Sequence, residues 1–167
     1  QRRVHGAVVA GPRGELRGPL RGVLHRPEPA GKWQQLGELL RYRTSVILGR
    51  PHPFKALVAH AAVYNLYTQV GADFGYEIPR FGGFWTPQQE AVFKQASPHF
   101  AAGNFATPTL VVHGQRDLRV PVNHGVELYH ALLQRGVPSR LLYFNDENHW
   151  VLKPANSLTW YREVKAW

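Results

Sequence analysis

The chain has 167 residues, 44% of them hydrophobic, which is enough for one globular domain with its own core. It contains no cysteine, so a disulfide framework and thiolate metal sites are excluded, and no apolar run approaches the ~20 residues a membrane helix needs. The net charge of +9 is lopsided: residues 1–45 carry nine Lys and Arg against three Glu, and residues 46–167 carry eleven against eight acids. A basic balance ordinarily points to nucleic acid, but here most of the excess sits where the pattern is least structured. No methionine occurs, even at position 1, so the sequence reads as part of a longer protein. With no secretory signal pattern and no cysteine, the expected compartment is the cytoplasm.

Residues 1–44 scatter arginine among glycine, proline and leucine, as in GPRGELRGPLRGVLHRPEPAGK. No period of 2 or 3.6 persists there, so an irregular or disordered basic segment is expected, with room for a short helix over Trp33–Leu40. Ser45–Gly49 reads as the end of a helix. Lys55–His60 reads as a buried strand, because Ala56-Leu57-Val58 is apolar without alternation. Residues 61–86 are loop-like and rich in rings: Tyr64, Tyr67, Phe74, Tyr76, Phe81, Phe84 and Trp85. These are expected to pack as a satellite cluster under a long loop. Thr86-Pro87-Gln88-Gln89 predicts a helix start with a threonine cap, proline in the first turn and a glutamine closing the capping box. Ser97-Pro98 stops that helix.

From Thr107 to Trp150 the chain reads TPTLVVHGQRDLRVPVNHGVELYHALLQRGVPSRLLYFNDENHW. Thr109–Val112 is a β-branched strand leading to His113-Gly114 and then Asp117. Val122, Val126, Tyr129 and Leu133 recur at helical spacing, closed by Gly136 and Pro138. Leu141–Phe144 is a further strand, followed by the polar loop Asn145–His149. A last helix begins near Pro154–Ser157 with Leu158, Tyr161 and Val164 on one face, and it reaches Trp167 still helical in character. In a parallel sheet, both loops emerge at the edge where strand carboxyl ends carry catalysts. Asp117 and His149 can then meet across 32 residues of sequence. Three parallel strands are expected, near 56–60, 109–113 and 140–144.

TPTLVVHGQRDLRVP around Asp117, GVPSRLLYF before the histidine loop and DENHWVLKPANSLTWYREV around His149 resemble the C-terminal part of the catalytic domain of the prolyl oligopeptidase family of serine peptidases. That family includes acylaminoacyl peptidases and dipeptidyl peptidases, built on the α/β-hydrolase fold. The likeness reaches back to VILGRPHPFKALVAHAAVYNLY, so it covers about three-quarters of the chain. It implies an α/β fold for residues 45–167, the C-terminal half of such a domain, and hydrolysis of peptide bonds in short peptides through an acyl-enzyme. Asp117 would orient the histidine and His149 would act as general base. It implies a peptide substrate as partner, no cofactor, no metal, no specific nucleic acid and no membrane. Half a sheet leaves a strand edge unpaired, so marginal stability is expected.

Other charged side chains on these loops read as structural. Asp146 and Glu147 sit too near His149 in sequence to be its partner, and are expected to cap the turn or face water. Arg116 and Arg119 read as solvated loop cations, and His113 as a hydrogen-bonded structural histidine. Nine histidines supply no HExxH pair, so no zinc site is expected.

The nucleophile is missing. An activated serine needs the sharp G-x-S-x-G turn, and none of Ser45, Ser97, Ser139 and Ser157 has glycine neighbours. Counting back along the family pattern places the serine near Glu38, inside Leu36-Gly37-Glu38-Leu39-Leu40-Arg41-Tyr42. The same turn supplies an oxyanion-hole N–H, so the chain is expected to be inactive as it stands. Because Arg, Gly and Pro rise together where the resemblance stops, GC-rich DNA translated out of frame is a second reading of residues 1–44. Two other functional readings are a basic nucleic-acid-binding fragment and a non-catalytic hydrolase-like interaction domain. Labelling by a fluorophosphonate separates these from an active hydrolase.

Overall fold

A computed structural model describes residues 42–73 and 86–167. The segment before residue 42, including the expected helix over Trp33–Leu40 and the position near Glu38, lies outside the described residues. So do Phe74, Tyr76, Phe81, Phe84 and Trp85.

Helix α1 (residues 42–48) leads through a turn to strand β1 (Leu57–His60). A single helical turn, α2 (Leu66–Gln69), is capped by Asn65, whose side chain accepts from the Tyr67 N–H. Helix α3 (Pro87–Ala96) follows, then a 3-10 helix over Pro98–Asn104. Strand β2 (Thr109–Gly114), helix α4 (Asn123–Gln134), strand β3 (Ser139–Phe144) and helix α5 (Pro154–Ala166) complete the order. The three strands form one parallel sheet in the order β1-β2-β3, close to the expected spans. The register sets Ala59 beside Val111 and Val111 beside Leu141.

Every residue of β2 is buried, and the two-residue period of the strands explains why a continuous apolar run was needed. One face of the sheet presents Leu57, Ala59, Val111 and Leu141 to Leu128 and Leu132 of α4. The other presents Val58, Leu110, Val112, Leu142 and Phe144 to Trp160, Val164 and Trp167 at the end of the chain. Helices therefore cover both sides, and β2 lies in the middle of the core. Among the described residues β1 pairs with β2 alone.

Helix boundaries follow local chemistry. Thr86 caps α3 as the sequence predicts, its hydroxyl accepting from the Gln89 N–H at 3.3 Å. The reciprocal half of the capping box is not made, because the Gln89 side-chain oxygen has no hydrogen-bond partner among the described residues. Helix α4 ends in a Schellman motif: Gly136 takes φ = +67°, its N–H donates to Leu133, and the Val137 N–H donates to Leu132.

Two expected faces are corrected. The buried stripe of α4 is His124, Gly125, Leu128 and Leu132, whereas Val126 and Leu133 face solvent. In α5, Leu158 and Tyr161 are exposed, and Trp160 and Val164 make the packing contacts. Tyr129 and Val164 of the expected stripes do pack against the core, so each helix is rotated only in part from the face read from apolar residues alone. Among the described residues no helix is long and apolar enough to cross a membrane.

Candidate active site

The site lies where β2 and β3 end on the same edge of the sheet. Beyond Gly114 the chain turns, with the Asp117 N–H donating to the Gly114 carbonyl at 3.2 Å. The Asp117 side chain then folds back on its own loop. Its Oδ1 accepts from the N–H groups of Arg119 (3.0 Å) and Val120 (2.9 Å), an Asx-type arrangement suited to a short carboxylate.

The neighbouring loop is sewn onto this one through backbone groups. The Gln115 N–H donates to the Phe144 carbonyl at 2.8 Å, and the Arg116 N–H to the Glu147 carbonyl at 2.9 Å. With the two loops held together, Nδ1 of His149 donates to Oδ2 of Asp117 at 2.8 Å. Both residues are buried, Asp117 at 2% exposure and His149 at 6%. The shared proton fixes the tautomer, so Nε2 is the basic ring nitrogen of His149. Trp150 stands edge-on to the imidazole, with ring centroids 5.4 Å apart.

The flanking charges settle into structural positions. Glu147 is buried and turned toward the start of α5, where its carboxylate accepts from the N–H groups of Leu152 (3.1 Å) and Lys153 (3.0 Å) and from Asn156 Nδ2 (2.7 Å). Burial pushes its pKa up, but Asn156 and the two backbone donors outweigh this and hold it below the usual carboxylate value. Asp146 pairs with Lys153 and accepts from Asn156 at 2.9 Å, and these bonds lower its pKa. Arg119 Nε lies 3.2 Å from Asp73 Oδ1, and Arg116 is exposed.

His113 is buried and donates from Nε2 to the Val120 carbonyl at 2.8 Å. The same nitrogen is 3.5 Å from Asp117 Oδ2. Desolvation holds its pKa below the ordinary histidine value despite the nearby Asp117 charge. His124, in α4, accepts at Nδ1 from the N–H groups of Tyr64 (3.0 Å) and Asn65 (3.1 Å), tying the segment after β1 to the helix. Burial drives its pKa down to about 3. The sequence reading missed the roles of His124, of Gly114, which lets two backbones meet, and of Gly125, which makes room for the His113 side chain. A glycine inside a helical pattern was the available signal for Gly125.

The serines lie elsewhere. Ser45 is fully buried in α1, and Ser139 starts β3 at the opposite edge of the sheet. Ser97 accepts from the Leu66 N–H at 2.9 Å, and Ser157 donates to the Val151 carbonyl at 2.9 Å. Among the described residues no group of three or more His, Asp and Glu side chains is arranged to hold a metal ion.

A parallel sheet covered by helices, with an acid after one strand and a histidine after the next, defines the C-terminal half of an α/β-hydrolase domain. Residues 42–167 match the model of the prolyl oligopeptidase family, and the chain belongs to that family of serine peptidases. Dipeptidyl-peptidase 5 of Schizosaccharomyces pombe is 38% identical over 131 residues, 75% of this chain and 19% of that protein. Dipeptidyl peptidase 4 of Porphyromonas gingivalis superposes with a TM-score of 0.62 at 26% identity, over 75% of this chain and 17% of that one. The acylaminoacyl peptidase of Pyrococcus horikoshii shares the fold, with a TM-score of 0.66 at 21% identity, over 75% of this chain and 21% of that one. The chain thus spans about a fifth of the length of the relatives it matches.

Proposed function

We propose that this chain carries the acid and the base of a serine-peptidase triad, with Asp117 orienting and His149 accepting the proton of a serine hydroxyl. The observation that carries this reading is the buried 2.8 Å bond between His149 Nδ1 and Asp117 Oδ2, at the carboxyl ends of adjacent parallel strands. In the complete catalytic unit His149 would take the serine proton, the serine would attack the peptide carbonyl, and the imidazolium, stabilised by Asp117, would protonate the leaving amine. Water would then hydrolyse the acyl-enzyme by the same route. The substrates proposed are short peptides, in keeping with relatives named as dipeptidyl peptidases. Family membership and an α/β-hydrolase sheet edge support this assignment.

The sequence holds no G-x-S-x-G motif, so we propose further that the chain alone does not form an acyl-enzyme. Two measurements test the two halves. The isolated chain should take no label from a fluorophosphonate, and labelling would refute the proposed inactivity. A chimera in which residues 42–167 replace the matching fifth of the S. pombe relative should cleave dipeptidyl substrates. There, His149→Ala or Asp117→Ala should lower kcat by roughly 10⁴ or more. An active chimera indifferent to both substitutions would refute the assigned roles.

A further inference from the structure

We infer that His113 is a positioning residue for the Asp117–His149 pair, acting through the peptide unit of Val120. The Val120 N–H donates to Asp117 Oδ1 at 2.9 Å, while its carbonyl accepts from His113 Nε2 at 2.8 Å. One residue thus joins His113, next to last in β2, to the carboxylate four positions on. Moving the ring moves the Val120 backbone, and with it a donor that fixes the rotation of the Asp117 carboxylate. Oδ2 of that carboxylate is the atom bonded to His149.

The ring is itself held from behind. Gly125 of α4 packs on it so closely that a Cβ there would stand 2.6 Å from His113 Nδ1 and 2.9 Å from Cβ and Cγ. A glycine inside a helix is less favourable than alanine, and in α4 it leaves space for this imidazole. Asp117 on its own loop, His149 beyond β3 and His124 on α4 are the titratable groups that bear on His113. A charged ring 3.5 Å from Asp117 Oδ2 would compete with His149 for that oxygen. As a neutral donor to Val120, His113 supports the carboxylate and leaves Oδ2 to His149. A leucine of similar bulk would fill the space but leave the buried Val120 carbonyl without its donor.

This inference rests on the reading of Asp117 as the acid that orients His149, and one set of spectra separates the two. In the ¹⁵N-histidine-labelled chain, the proton shared by His149 Nδ1 and Asp117 is followed by NMR for its resonance and its exchange with water. In His113→Leu it should exchange up to about tenfold faster or disappear, the upper end of the scale of one lost neutral hydrogen bond. His113→Gln, whose amide can replace the Nε2–H donor, should restore it. Gly125→Ala, which pushes the ring without deleting it, should weaken it. Absence of the proton from the wild-type chain would overturn the reading of the pair itself. A wild-type resonance unchanged in folded His113→Leu would overturn the role of His113 alone. Should His113→Leu give no folded amide spectrum, Gly125→Ala decides: a weakened resonance supports the role and an unchanged one overturns it.

Discussion

Gly114 and Glu147 pack backbone to backbone. A Cβ on Gly114 would stand 2.6 Å from the Glu147 carbonyl oxygen, and the Asn148 carbonyl is closer still. The approach brings the loop after β2 against the loop after β3, and the Asp117–His149 bond spans the two. The glycine is required for space, since both obstacles are main-chain atoms that cannot swing aside. Gly114→Ala should therefore destabilise the fold by roughly 1–3 kcal/mol, the usual penalty of overpacking. Because the two loops must separate, it should also weaken the bond between His149 and Asp117. Urea unfolding midpoints and the histidine Nδ1 proton resonance check both effects, and an unchanged midpoint would contradict the first.

Glu147 is the anchor of the histidine loop. Its carboxylate is buried against the first turn of α5 and accepts from Leu152, Lys153 and Asn156. Glu147→Ala removes all three acceptor contacts and leaves the Leu152 and Lys153 N–H groups, just before α5, without their acceptor, which should cost about 1–2 kcal/mol. The same group should register in the pH dependence. Its folded pKa is depressed, so its contribution is complete above the unfolded value and is lost as pH falls through the folded one. Comparing the acid limb of the wild type with that of Glu147→Gln, by circular dichroism, checks the sign: the variant should lose less stability on acidification.

Much of the sheet was legible in advance, for identifiable reasons. β2 is covered on both faces, so its apolar run is unbroken and cannot be mistaken for an amphipathic surface strand. The meeting of Asp117 with His149 followed from topology, since consecutive parallel strands deliver their following loops to one edge. The helix faces were not legible, because hydrophobic periodicity counts side chains by polarity and passes over what fits. In α4 the positions against the sheet begin with His124 and Gly125, one polar and one without a side chain. His124 is buried because its ring accepts two backbone N–H groups from the segment after β1, a partner far away in sequence. In α5 the outward Leu158 and Tyr161 carried the apolar signal, while Trp160 and Val164 made the contacts. His113 reads in the sequence as a hydrogen-bonded structural histidine, and only the fold shows its partner to be the Val120 carbonyl.

That misread face yields a direct comparison. Leu128 is fully buried between α4 and the sheet, and Leu133 on the same helix is 49% exposed. Leu128→Ala should cost about 2–5 kcal/mol through lost burial and a residual cavity. Leu133→Ala should fall within about 0.5 kcal/mol of wild type, as exposed substitutions generally do. Equal losses in chemical denaturation would mean that the helix is rotated to the face read from the apolar pattern.

Acid should weaken the fold through its buried histidines, and His124 is the strongest case. Its folded pKa lies at about 3, against 6.5 for the free side chain, because burial disfavours the imidazolium. Between these values only the unfolded chain takes up the proton, so each step down in pH favours unfolding; below about 3 this term is constant. One such group contributes a slope approaching ~1.4 kcal/mol per pH unit across the window. His113 and His99 are shifted in the same direction and add to it. His124→Asn keeps an acceptor for the Tyr64 and Asn65 N–H groups and cannot titrate. The variant should therefore show a shallower loss of stability between pH 6.5 and 4 than wild type, measured by urea unfolding at a series of pH values. Identical slopes would mean that His124 takes up its proton within the folded chain and that the burial seen around it does not exclude the charge.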